Sequence, residues 1–225
     1  MLPQRGLARR AVSSYMRIVS CSGNMRMSSQ KARNQVPQPR VPQRRKGRDR
    51  VAALMATAAA LFLEKGFDAV TMTEIAEQAG ASIGTLYLFF PKKELLAQAI
   101  VAECGEDLSA RLRALRERIA DLPAAAIADA LFITLGEFMS ERPVYAALLD
   151  LPGDDRWRRS LRMQRRDQIA ALFAQAKPPL VAGQAERLAV IVPQLMRIPL
   201  ALNAEKRLRE AILEELRLML SRHLQ

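Results

Sequence analysis

The chain has 225 residues, half of them hydrophobic, a formal net charge of +12, two cysteines and one histidine. A lone histidine, His223, without a Cys/His cluster excludes a metal centre of the usual ligand sets. Cys21 and Cys104, in distant segments, give no disulfide framework, which suits the cytosol. No G-x-S-x-G, phosphate loop or dinucleotide fingerprint occurs, so neither an enzyme nor a bound cofactor is expected. No apolar run is long enough to cross a membrane.

Residues 1–47 carry 11 Lys or Arg and no acidic residue, which leaves +1 for all the rest. Rich in Pro, Gln, Ser and Asn and without apolar periodicity after Cys21, this tail reads as disordered. The first twenty residues have the Arg-rich, acid-free character of a transit peptide, and Arg17 interrupts any secretory core. With Met16, Met25 and Met27 as further initiators, residues 1 to about 35 are expected to be dispensable. The cluster Arg40, Arg44, Arg45, Lys46, Arg48 and Arg50 leads into the first helix. It is either a solvated leader or an arm lying along a DNA groove or phosphate backbone.

The first periodic segment is the alanine-rich run Arg50–Gly66, with Leu54, Ala58, Leu61 and Phe62 on one stripe. Thr71 and Glu74 then form a capping box, and Val70 and Ile75 a hydrophobic staple, for a helix from about Met72 to Ala79. Gly80 suits the left-handed turn that ends it. Ser82 caps a second short helix from Ile83 to about Phe89 or Phe90, and Pro91 stops it and starts another, with Glu94 in its first turn. Two short helices meeting at a glycine have the layout of a helix-turn-helix, whose second helix enters the DNA major groove. Residues 48–95 nevertheless carry a net charge of −1, so phosphate contacts must come from a few placed cations and helix ends.

The run from about Arg50 to Leu96 resembles the N-terminal domain of the tetracycline-repressor (TetR) family. The matching pieces are LFLEKGF at Leu61–Phe67, TMTEIAEQAG at Thr71–Gly80, SIGTLY at Ser82–Tyr87 and FPKKELL at Phe90–Leu96. The resemblance implies an all-α homodimer with a helical C-terminal ligand domain, usually a repressor released by a small molecule. It implies that Ser82, Ile83, Gly84 and Thr85 face bases or backbone, with Thr71 beside them, and that Tyr87 bonds a phosphate through its hydroxyl. Tyr87 as a core aromatic is the alternative. Lys93 matches a family lysine expected to grip phosphate, and Lys92, where Ser is commoner, adds a second cation. Leu88 and Phe89 replace frequent His or Tyr residues and are expected to pack.

Beyond residue 95 the chain reads as helices: about Lys92–Ala120 despite Gly105, Pro123–Glu141, a short segment from Pro143, Asp154 or Asp155 to Ala176, Gly183–Ile198 and Glu205–His223. The Pro152-Gly153-Asp154 turn separates two of these, and Pro193 is a candidate kink. The organisation expected is a tail at 1–47, a DNA-binding domain at 48–95 and a ligand-binding and dimerisation domain at 96–225. Leu188, Ile191, Val192 and Leu195, with Leu208, Ile212, Leu216 and Leu220, recur at helical spacing. In the resembling family these helices form a four-helix bundle between two copies, and that symmetry implies a palindromic operator. Phe132, Phe138, Met139, Tyr145, Trp157, Leu161, Phe173 and Met196 are candidates for an apolar effector pocket, or are simply core. One inward-turned arginine of the Arg156–Arg166 run would favour an anionic effector. Two alternatives to a repressor stay open, a TetR-like activator and a helical adaptor that binds another protein.

Overall fold

The computed structural model describes residues 45–149, 155–197 and 205–225. The tail to Arg44, the Pro152-Gly153-Asp154 turn and Ile198 lie outside these residues. Every regular element among the described residues is a helix. In chain order they are α1 (Arg45–Lys65), α2 (Met72–Gln78), α3 (Ile83–Phe89), α4 (Lys93–Arg118), α5 (Ala124–Glu141), α6 (Pro143–Leu149), α7 (Asp155–Phe173), α8 (Gln184–Leu195) and α9 (Lys206–His223). The all-α class read from the sequence is the class of the structure. Two compact units divide the chain, one of residues up to Glu106 plus Pro143–Gly153, the other of Asp107–Arg142 and Asp154–Gln225.

The first unit is organised around α1. Its stripe Val51, Leu54, Met55, Ala58, Leu61 and Phe62 is buried, and α2 and α6 pack on it. α1 begins five residues earlier than the periodicity indicates, so Arg45, Lys46, Arg48 and Arg50 stand on helix rather than in an extended arm. Gly66, at φ +82°, turns the chain out of α1, and Thr71 accepts the Glu74 amide at 3.2 Å to start α2. Val70 and Ile75 are buried together at that end, where the staple is expected. The Glu74 carboxylate turns chiefly to Lys65, whose Nζ donates to it at 2.6 Å and joins the end of α1 to α2. That hydrogen bond holds Glu74 below the usual glutamate range, with the Thr71 amide as a smaller influence, so the capping box closes only weakly on its carboxylate side. Gly80, at φ +62°, makes the turn between α2 and α3, a backbone region in which a β-carbon is penalised.

In the second unit α7 packs on α8, α9 packs on α5, and α5 also meets α7. Leu131, Leu135, Ile169, Leu172 and Val192 are among its buried residues. Ser109 on α4 donates to Gln168 on α7 at 3.3 Å. Asp107, mostly buried, faces Arg111 at 3.4 Å and Arg142 at 3.5 Å, and Arg111 also pairs with Glu141. The helix interior runs unbroken through Gly105 in α4 and through Pro193 in α8. α7 ends at Phe173, three residues short of the sequence boundary, and Lys177 donates its amide to Leu122 at 3.0 Å beyond it.

Candidate nucleic-acid interface

A seven-residue helix can bury only one side, and α3 turns Leu86 and Phe89 inward with Phe90 just after them. The 3.6-residue period then leaves Ile83, Gly84, Tyr87 and Leu88 on the outer face. Tyr87 is 49% exposed, which removes the alternative that it is a core aromatic. Leu88 is 45% exposed, while Phe89 beside it is buried. The packing expected of both residues therefore holds for Phe89 alone. Half a turn separates their side chains, and the core lies on only one side of so short a helix.

Ser82 caps α3 by accepting the Thr85 amide at 3.2 Å, and its hydroxyl lies 2.8 Å from that of Thr85. Two hydroxyls carry two protons, and their mutual bond uses one, so one O–H of the pair stays available to an outside acceptor. Thr71 is likewise exposed with its oxygen engaged by the Glu74 amide and its proton available.

The lysines at the start of α4 divide. Lys92 is exposed. Lys93 donates to the carbonyls of Phe67 at 2.7 Å, Val70 at 2.8 Å and Asp68 at 3.2 Å, and its ammonium lies 4.4 Å from the centre of the Phe67 ring. An ammonium has three N–H donors, and here all three end on the loop between α1 and α2. The phosphate grip expected of Lys93 is therefore corrected to a clamp on that loop. The motif's spacing aligns Lys93 with a family lysine, but it does not say which acceptors the fold brings within reach.

Of the basic cluster, Arg50 is exposed and Arg48 half-buried on α1. Arg44 lies outside the described residues, as does the side chain of Arg45.

Residues 54–100 match the family described as bacterial regulatory proteins, tetR family. Over 70 residues the chain is 34% identical to the HTH-type transcriptional regulator EthR of Mycolicibacterium smegmatis, a match covering 31% of this chain and 32% of that protein. The chain belongs to the TetR family. Its fold resembles that of a TetR/AcrR-family transcriptional regulator from Thermobifida fusca, at TM-score 0.62 and 20% identity over 77% of this chain and 97% of that one. It also resembles the ketosteroid transcriptional regulator KstR2 of Mycobacterium tuberculosis, at TM-score 0.55 and 20% identity over 74% of this chain and 94% of that one.

The remaining TetR-family expectations separate by burial. Leu188, Val192 and Leu220 are buried in the chain's own core, so their side chains are not open to a second copy, which corrects that part of the expected dimer face. Ile191 and Leu208 are exposed, and Leu195, Ile212 and Leu216 are half-buried. Val190 and Met219, which the periodicity did not single out, are exposed on the same two helices. A stripe four residues wide contains both core and surface positions, and only packing says which is which. Among the effector candidates Phe132, Phe138, Phe173 and Met196 are buried in the second unit and Tyr145 in the first. Met139, Trp157 and Leu161 are half-buried. No helix among the described residues is long and apolar enough to cross a membrane, and no cluster of potential metal ligands occurs among them.

Proposed function

We propose that this TetR-family protein binds a palindromic DNA operator as a homodimer and represses transcription in the cytosol until a small apolar effector releases it. The observation that carries this reading is the outer face of α3, where Ile83, Gly84, Tyr87 and Leu88 stand uncovered beside the Ser82–Thr85 hydroxyl pair. In the major groove this face would meet base edges. Tyr87, the free O–H of the Ser82–Thr85 pair, Thr71 and exposed Lys92 would donate to flanking phosphates. Arg48 and Arg50 on α1, with Arg44 and Arg45 before them, would extend the phosphate contacts.

Exposed Val190, Ile191, Leu208 and Met219 on α8 and α9 support a pairing surface for the second copy. A two-fold axis would set the two α3 helices one DNA turn, about 34–36 Å, apart and so require a palindrome. The buried aromatics Phe132, Phe138 and Phe173 support an apolar effector of unassigned identity, with Tyr145, Trp157, Met139, Leu161 and Met196 as further candidates to touch it. The switch would act through α4, which begins at Lys93 and ends at Arg118. Because Lys93 is bonded to the 67–70 loop, a displaced α4 start would carry that loop with it. The two α3 helices would then no longer match both half-sites.

The test is a binding assay of the purified full-length chain against its own promoter fragment and against scrambled duplexes, at several salt concentrations, with small molecules screened for release. Tight, salt-sensitive preference for one palindrome supports the reading. Equal affinity for all duplexes, or none, favours a protein-binding adaptor, for which the exposed Arg159, Arg162 and Arg166 along α7 offer the surface.

A further inference from the structure

We propose that Leu88 and Ile83 are specificity-determining residues that read thymine by its methyl group. This rests on the DNA-binding reading above and names what α3 recognises.

The face of α3 has little hydrogen-bonding capacity. From Ala79 to Pro91 there is no Arg, Lys, Asn, Gln, Asp or Glu, so the bidentate contacts that identify guanine or adenine are not available from this segment. The hydroxyls of Ser82 and Thr85 are bonded to each other and to the helix cap, which leaves one proton between them. What the face does offer is aliphatic surface: Ile83, 39% exposed, and Leu88, 45% exposed. In the major groove the one apolar group on the base edges is the thymine C5-methyl. Covering Leu88 and Ile83 against methyls removes apolar area from water on both sides of the contact.

Gly84 supplies an independent sign that something seats closely here. It lies in the first turn of α3 with ordinary helical backbone, and a β-carbon built on it would meet nothing within 4 Å. Glycine inside a helix is unfavourable relative to alanine, so the free protein has no use for it at this position. Gly84 precedes Leu88 by four residues and adjoins Ile83, so it leaves a gap in the middle of the apolar face. A groove wall entering that gap would bring the flanking aliphatic side chains to van der Waals distance of base edges.

The experiment starts with selection of duplexes from a random-sequence pool by the full-length protein. Individual thymines of the selected site are then replaced by deoxyuridine, which keeps the O4 acceptor and the base pairing and loses only the methyl. One or two replacements per half-site should weaken binding about three- to tenfold, the range expected for one lost buried methyl in each half-site. Leu88→Ala should weaken binding to the thymine duplex similarly and be indifferent to deoxyuridine at one of those positions, and Ile83→Ala at another. Both side chains are exposed, so unchanged thermal unfolding is expected and separates lost recognition from lost fold. Wild-type indifference to every replacement would overturn the inference and leave DNA binding standing, as would a Leu88→Ala variant that keeps the full deoxyuridine penalty everywhere. Failure to enrich any duplex would overturn the DNA-binding reading itself.

Discussion

The ammonium of Lys93, the first residue of α4, sits over the ring of Phe67 and accepts no role at the surface, because its three protons are bonded to the Phe67, Asp68 and Val70 carbonyls. One side chain thus ties the start of α4 to the loop that sets the entry of α2. A clamp and a phosphate contact predict different losses. Lys93→Ala should cost about 1–3 kcal/mol of stability, since charge-assisted bonds are lost while the exposed part of the loop regains water. Lys93→Arg should not restore it, because a planar guanidinium cannot converge on three carbonyls as an ammonium does. Thermal unfolding of both variants is the check.

The salt dependence of DNA binding separates the two neighbours. Lys92→Ala should reduce the slope of log affinity against log salt by about one, the signature of a lost phosphate contact. Lys93→Ala should leave that slope unchanged while lowering the melting temperature. A smaller slope in Lys93→Ala would return Lys93 to the phosphate backbone.

Tyr87→Phe removes one exposed hydroxyl and nothing the fold relies on. Its melting temperature should match the parent's, and its operator affinity should fall about tenfold or more, as for a lost hydrogen bond to a charged acceptor. Fluorescence anisotropy with a labelled duplex measures the second quantity.

Gly84→Ala should move stability and function in opposite directions. With open space at the β-carbon and helical backbone, alanine should stabilise the chain by about 0.5–1 kcal/mol. The added methyl would stand on the face that meets DNA, so operator affinity should drop. A variant less stable than the parent would contradict this account of the site.

Dimerisation can be tested by pairing an exposed with a buried position on α8. Ile191→Asp places charge on an exposed residue and should shift the dimer toward folded monomer in sedimentation experiments. Val192→Asp, one residue along, puts an unpaired charge into the chain's own core and should unfold it. Monomerisation without unfolding in Val192→Asp would mean that its burial does not serve the core.

Acid sensitivity has an identifiable contributor in the Arg111–Glu141 pair. The hydrogen bond from Arg111 holds the Glu141 carboxyl below its ordinary value of 4.5. A lowered folded-state pKa means that the unfolded chain binds more protons in acid. The pair's contribution is therefore complete above 4.5 and is lost as pH falls through the lowered value. Glu141→Gln should lose little stability at neutral pH, because Glu141 is solvent-exposed, and should show a shallower fall in melting temperature below that range. Melts across a pH series test it, and identical acid slopes in the two proteins would rule it out.

Much of this molecule is legible in its residues because the deciding physics is local. The Thr71 and Ser82 caps, Gly66 and Gly80 at positive φ, and the Leu54–Phe62 stripe each fix backbone geometry within a few positions, so the boundaries of α2 and α3 follow from sequence. Longer-range competition is not local. Lys65 draws the Glu74 carboxylate across nine residues, and the 67–70 carbonyls draw Lys93 across more than twenty. Neither choice of partner is encoded in spacing, since any nearby acceptor satisfies the same donors. The start of α1 at Arg45 was missed for a related reason, because exposed arginines carry no apolar periodicity.

The sequence by itself determined that helices form here and that two of them meet at Gly80 with a capped, chargeless helix following. Those outcomes depend on propensity, capping and period, which act within one or two turns. Tertiary packing alone decided that Leu88 faces outward while Phe89 faces inward, that Ile191 is open while Val192 is core, and that Lys93 binds its own chain. Each of these depends on what lies across the helix, and a side chain's environment is a property of the whole assembled core.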